Sequence, residues 1–370
     1  MLAVILRRLA PALVAAAAFT RAGPLAAEEP LTPPAAEEPP EPANWAFKDP
    51  SRPVKVVVLA GSIGAWPRLP YAERLAQLCR NAEVKNLSKT GYGALQLKQR
   101  FRQQVLDNHR LNFRTGEYWL VFQGGLNSVG MPESTNHHMR ELYLLAHRRG
   151  LKVVGLTLTP WGDEGDRQRW GGAQGLRYFR FTRTIVDYVL GALSPREALG
   201  EHAGRRPGGA DAPWDPAELP DIAVDLYRAP YLRAADAPLR DREKLRRELE
   251  RDPAWRRALA GLSDDERAAR LDAEASLAAE LPRWFLRAEL RSFDHIHPNA
   301  EGHRRIAELV CPSLPDSWGC TCPELPAGAS AAAAAADTPP PPTSDAVDQV
   351  LLPFYPPWIR ELLRILHGAP

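Results

Sequence analysis

Ser62, Asp294 and His297 are the side chains of this 370-residue sequence whose types and spacing combine most directly into a reaction. The serine stands in "LAGSIGAW", residues 59–66, between two glycines and just after the β-branched run Val56, Val57 and Val58. Asp294 and His297 stand three apart in "FDHIHPNAEGH", so one short turn lets the carboxylate face the imidazole, fix its tautomer and stabilise its protonated form. A serine hydroxyl is a poor nucleophile at its own pKa and needs such a base. The Asp-x-x-His spacing and the following proline favour His297 over its neighbour His295 for that role. Taken alone, the serine stretch reads equally well as a turn between a strand and a helix. A phosphate-binding loop would need a longer glycine-rich turn with a lysine, and a dinucleotide turn would need Gly-x-Gly-x-x-Gly.

These residues must be positioned by the elements around them, and the chain alternates accordingly. Apolar strand patterns at "VKVVVLA", "AEVKNLS", "EYWLVFQ", "LKVVGLTLT" and "DIAVDLY" are separated by helical patterns such as "PYAERLAQLCRN", "LQLKQRFRQQVLDN", "TNHHMRELYLLAHRRG" and "GLRYFRFTRTIVDYVLG". Such alternation predicts an α/β fold, a three-layer α/β/α sandwich around a mainly parallel five-stranded sheet. In a doubly wound sheet, ligands sit beyond the carboxyl ends of the strands, where loops converge and helix N-termini offer free N–H groups. Two further loops end strands there. "NLSKTGYG", Asn86 to Gly93, contains Gly91, which can expose a backbone N–H, and "FQGGLNSVG" turns at Gly124 and Gly125 and leaves the amide of Asn127 over the sheet. Either is an ordinary turn when it stands alone. Pro298 is expected at the first position of the final helix, "NAEGHRRIAELV".

In chain order these loops resemble the four blocks of the SGNH hydrolases, the superfamily of the GDSL lipases and esterases, over roughly residues 52–235 and 290–312. The blocks are "AGSIG", "NLSKTG", "GGLN" and "DHIHP". The resemblance implies a flavodoxin-like SGNH fold, a Ser62 nucleophile, a His297 general base and acid, and an Asp294 that orients it. It also implies an oxyanion hole made of the Ser62 N–H, the Gly91 N–H and the Asn127 side-chain amide, donors worth roughly 3 kcal/mol each in the transition state. Two positions depart from the family: Gly61 where an aspartate usually precedes the serine, and Ser128 where an aspartate often follows the asparagine. Neither aspartate transfers the proton, so the departures bear on the substrate subclass.

The remaining features place this core in a longer chain. "MLAVILRRLAPALVAAAAFTRAGPLAA" has the layout of a secretory signal peptide over residues 1–27, with an uncleaved anchor as the alternative, so a secreted or periplasmic location is expected. A proline- and glutamate-rich linker over 28–51 is expected to be extended, followed by a hydrolase domain over 52–325 with a charged helical insertion at about 236–291. That insertion reads as peripheral packing, with a lid as the alternative. An alanine- and proline-rich linker (326–346) and a C-terminal amphipathic helix (347–370) complete the chain. The four cysteines suit an oxidising compartment: Cys79 is expected alone, with one disulfide from Cys311 to Cys320 or Cys322, since Cys-x-Cys plus one lacks structural zinc spacing.

Lys+Arg 47 against Asp+Glu 45 leaves a formal charge of +2, which argues against a nucleic-acid partner. No cofactor and no metal are expected: His137 and His138, at a helix start, read as solvated or capping residues. Trp66 and Trp161, after strand-ending loops, line a substrate pocket or belong to the core. The leading expectation is a serine ester hydrolase acting through an acyl-enzyme on an acetylated polysaccharide or an acyl or lipid ester, with no stable membrane span in the mature chain. Acyl transfer by the same triad and a silent SGNH-like binding module of the envelope are the competing readings.

Overall fold

A computed structural model describes residues 43–326, with Ala173 and His295 excepted. The expected signal peptide, the first part of the proline-rich linker, nearly all of the alanine- and proline-rich stretch and the C-terminal helix lie outside the described residues. Strands β1 (Val54–Ala60), β2 (Ala82–Asn86), β3 (Glu117–Gln123), β4 (Lys152–Leu156) and β5 (Ile222–Val224) form one sheet. Their order is β2-β1-β3-β4-β5 and every pairing is parallel. This is the doubly wound order of the flavodoxin-like sheet, with its switch point between β1 and β3. In register, Val58 lies opposite both Asn86 and Val121, and Ala60 opposite Gln123, so the loops after β1, β2 and β3 leave the sheet at one edge.

Alternate residues of each strand serve opposite faces. Val57, Leu59, Leu120, Phe122 and Val153 pack under α2 (Ala94–Phe101), α3 (Pro132–Arg148) and α4 (Gln174–Val189). Val54, Val56, Val58, Trp119, Val121 and Val154 pack under α1 (Tyr71–Leu78) and the final helix of the described residues. The sheet is therefore buried on both faces, which is why its strands read as continuous apolar runs. A short helix α5 (Pro195–Leu199), capped by Ser194, lies in a segment for which the sequence pattern predicts no element.

The insertion contains α6 (Arg242–Arg251), α7 (Pro253–Ala258) and α8 (Asp264–Ala279), each opened by an Asp or Ser N-cap. Trp255, Leu271 and Phe285 join the main core, and Phe285 N–H donates to Gly162 O at 3.1 Å. The final helix, α9 (Ala300–Val310), corrects one detail of the sequence reading. Its N-cap is Asn299, whose Oδ1 accepts from Gly302 N–H at 3.0 Å, so Pro298 precedes the cap instead of opening the helix. The body also begins earlier than Arg52. Trp45 and Phe47 stack edge to face, and Trp45 Nε1 donates to Gln104 O, which pins the end of the expected linker. Among the described residues no helix is long and apolar enough to cross a membrane.

The cysteines depart most from expectation. Cys79, expected alone, pairs with Cys320, whereas Cys311 pairs with Cys322, one of its two expected partners. Cys79 ends α1, and the segment around Cys320 lies antiparallel to it, with Thr321 N–H donating to Leu78 O at 2.9 Å. A link across 241 residues of chain removes much of the unfolded ensemble's freedom. Non-reducing peptide mapping is expected to recover both cross-linked pairs, and Cys79→Ser should lower unfolding free energy by about 2–4 kcal/mol in urea titrations.

Candidate active site

The loop after β1 and the turn before α9 meet over the carboxyl edge of the sheet. Ser62 is 9% exposed, and its hydroxyl donates to His297 Nε2 at 2.7 Å. On the other side of the ring, His297 Nδ1 donates to Asp294 Oδ2 at 2.5 Å. The second oxygen of Asp294 accepts from the Ser292 hydroxyl at 2.7 Å and from the N–H groups of His297 and Ile296 at 3.0 and 3.1 Å. Desolvation pushes this carboxyl up, but the bonds from His297 N–H, Ser292, the His297 ring and Ile296 N–H outweigh it and hold Asp294 down at about 2. It is thus a fixed anion whose orientation is set by four donors. The turn is itself held: Ser292 N–H donates to His297 O, Asn299 Nδ2 donates to Glu289 O and Arg291 O, and Arg291 Nη1 pairs with Asp163 at 2.8 Å.

A small cleft lies against Ser62, lined among others by Gly61, Tyr92, Gly124, Gly125 and Asn127. Asn127 sits on a single 3₁₀ turn, Leu126–Ser128, and its Nδ2 donates to Tyr92 O at 3.1 Å. A side-chain amide nitrogen carries two hydrogens, so this bond orients the group and leaves the other N–H to donate. Gly91 lies one residue outside the cleft lining; it is exposed, with φ +82°, in the left-handed region that favours glycine. The blocks are tied together, since Asn86 Nδ2 donates to Gly64 O at 2.8 Å and Ala94 N–H donates to Ser128 Oγ at 3.2 Å. Ser128 therefore links the Asn127 turn to the start of α2. The absent aspartate also has a geometric meaning. A Cβ at Gly61 would lie 3.1 Å from Asn127 Nδ2 and 3.3 Å from Tyr92 O, so the Asn127–Tyr92 pair occupies the space a side chain would need.

Trp66 does not line the cleft; its ring stacks on His297 at 5.0 Å between centroids and 20° between planes. Beyond it, His303 stacks on Trp66 and on Tyr71 at 6.4 and 6.3 Å. This column backs the imidazole, a role no local sequence pattern announces. Trp161 is entirely buried, donates from Nε1 to Thr182 Oγ1 and packs edge to face on Trp170, so it is core and not a pocket wall. His295 lies outside the described residues. His137 and His138 stand in the second turn of α3, which is capped by Met131, and so are not capping residues; they meet Glu141, and the three could hold a metal. The second cluster of that kind, Cys79, Cys311 and Cys320, is spent in disulfides. A wider groove bounded by α2, α3 and residues 206–218 contains neither Ser62, Asp294 or His297 nor any residue lining the cleft.

The sequence matches no family model and no curated protein. Among solved structures, one that the chain is similar to is a GDSL-like lipase from Bacteroides thetaiotaomicron VPI-5482, at 14% identity, over 69% of this chain and 85% of that one, with a TM-score of 0.39. Another is Axe2, an acetylxylan esterase from Geobacillus stearothermophilus, at 14% identity, over 72% of this chain and 94% of that one, with a TM-score of 0.35. The chain is similar to both. At these scores neither likeness assigns an activity to it.

His303 is fully buried, and neither ring nitrogen has a hydrogen-bond partner among the described residues. Burial first, and the neighbouring His297 second, push it down to about 4 from an ordinary 6.5. Below pH 6.5 the unfolded chain takes up a proton that the folded chain refuses until about pH 4, so stability falls across that window. Relative to His303→Leu, the native chain should lose about 3 kcal/mol between those pH values in urea titrations, and a pH-invariant difference would contradict this origin.

Proposed function

We propose that the chain is a serine carboxylic ester hydrolase of the SGNH type, with short acyl esters, acetyl above all, as substrates. The observation that carries the reading is the continuous line of hydrogen bonds from Ser62 through His297 to Asp294, laid against a cleft that also holds an oriented amide donor. Ser62 Oγ attacks the carbonyl carbon as His297 Nε2 takes its proton, and Asp294 stabilises the imidazolium through Nδ1–H. The negative charge that develops on the carbonyl oxygen falls to the Ser62 N–H, the free N–H of Asn127 and the Gly91 N–H. His297 returns the proton to the leaving alcohol, and water then releases the acid by the same steps in reverse.

The small cleft supports the short acyl group. The space it encloses beside Ser62 is only about 10 Å³, far below the roughly 300–1,000 Å³ of pockets that enclose drug-sized ligands. None of its lining residues belongs to α6, α7 or α8, which supports peripheral packing over a lid for the insertion. The expected export of the chain favours an acetylated carbohydrate polymer over a lipid as the ester.

Hydrolysis of p-nitrophenyl acetate, octanoate and palmitate by the purified protein tests both levels. Acetate should have the highest kcat/KM, and Ser62→Ala or His297→Ala should each lower kcat by about 10³ or more. Asn127→Ala should lower kcat by about 10²–10³ with KM little changed. Full activity in Ser62→Ala overturns the hydrolase reading, while a preference for palmitate overturns only the short-acyl assignment.

A further inference from the structure

Outside the cleft, the densest group of ligating side chains lies on α3. His137 and Glu141 are four residues apart and His138 and Glu141 three apart, so all three share one helix face. His137 Nε2 lies 3.6 Å from one Glu141 oxygen, and His138 Nδ1 lies 3.5 Å from the other. The ligand atoms of the three residues all lie within 4.8 Å of one another. With zinc-to-ligand bonds of about 2.0–2.1 Å, the edge of a tetrahedral site is about 3.3–3.4 Å, so the spacing already approximates that edge. The His202 ring, from a segment 65 residues away, stacks on His137 at 4.5 Å and 14° and holds its plane. The Nδ1 atoms of both rings are buried and have no hydrogen-bond partner among the described residues, so no competing bond ties His137 down through that nitrogen.

The side chains already gather around a cation. Lys98, on α2, places its ammonium against Glu141 and 3.3 Å from His138 Nδ1. An ammonium only donates, so in the tautomer protonated at Nε2 the lone pair of His138 Nδ1 faces the cation, as a metal ligand's must. Lys98 and Glu141 also border the wide groove beside α2 and α3, which gives the lysine room to swing out and an ion a way in.

We propose that His137, His138 and Glu141 form a divalent transition-metal site, with zinc as the ion the imidazole and carboxylate set suits best, in competition with the ammonium of Lys98. Water completes the coordination. The site lies on the helices whose N-terminal loops carry Gly91 and Asn127, yet none of its residues lines the cleft, so it is independent of the hydrolase reading. Its ion clips α3 and does no chemistry on the ester.

Isothermal titration of Zn²⁺ into the tag-free, chelator-treated protein tests the site. Near one equivalent should bind the native chain, the His137→Gln/Glu141→Gln double variant should lose that equivalent, and both proteins should hydrolyse p-nitrophenyl acetate equally. Lys98→Met, which leaves the three ligands intact and removes the competing cation, should bind about tenfold more tightly. Absence of binding at roughly 100 μM Zn²⁺, where even a weak site of about 10 μM would fill, overturns the proposal, as does equal uptake by the native chain and the double variant. Should the double variant fail to give a native circular dichroism spectrum, the Lys98→Met comparison decides: unchanged affinity overturns the site.

Discussion

A 2.7 Å hydrogen bond between Ser62 and His297 joins two residues separated by 235 positions, and the site depends on it. One such bond contributes about 1 kcal/mol net, too little to offset the entropy of closing so long a loop. The frame must therefore deliver both residues to the same place. On one side, β1 flanks the switch point, is buried from Val56 to Ala60, and its last residue pairs in register with Gln123 of β3. On the other, α9 packs on the opposite face from α2 and α3 through Ile306, Ala307 and Val310, and its capped start fixes the Asp294 turn. The Cys79–Cys320 link ties the far end of that same layer to α1.

The electrostatics of the site follow from where charge is allowed and where it is refused. Asp294 keeps its charge because four donors converge on it, whereas His303, one aromatic layer behind the imidazole, has no partner and stays neutral. Only one histidine of the column His297–Trp66–His303 therefore faces an anion. Trp66 separates the two rings and stacks on that of His297, which restricts this imidazole to the plane in which both of its nitrogens are engaged.

The strands, their parallel order and the loops that converge were legible because each signal is local: β-branched runs, strand-ending glycines, an Asp-x-x-His turn. The same locality explains what was missed. The pairing of Cys79 with Cys320 joins positions 241 apart, and the meeting of His137 with His202 joins α3 to the 3₁₀ turn Gly200–Arg205. Trp66 and Trp161 look alike in sequence, each just after a strand-ending loop, yet one backs the imidazole and the other is sealed in the core. Asn299 could have been recognised as the cap of α9, since Asn is favoured there, but Pro298 beside it suggested an earlier start.

The most direct measurement of the central claim is covalent labelling with a fluorophosphonate, which reacts with a serine only when a neighbouring base activates it. Peptide mass spectrometry after labelling should find one adduct, on Ser62, and should find it lost in His297→Ala while circular dichroism stays native. Labelling of Ser62 that persists at the native rate in His297→Ala, or an adduct on another serine only, would contradict the account.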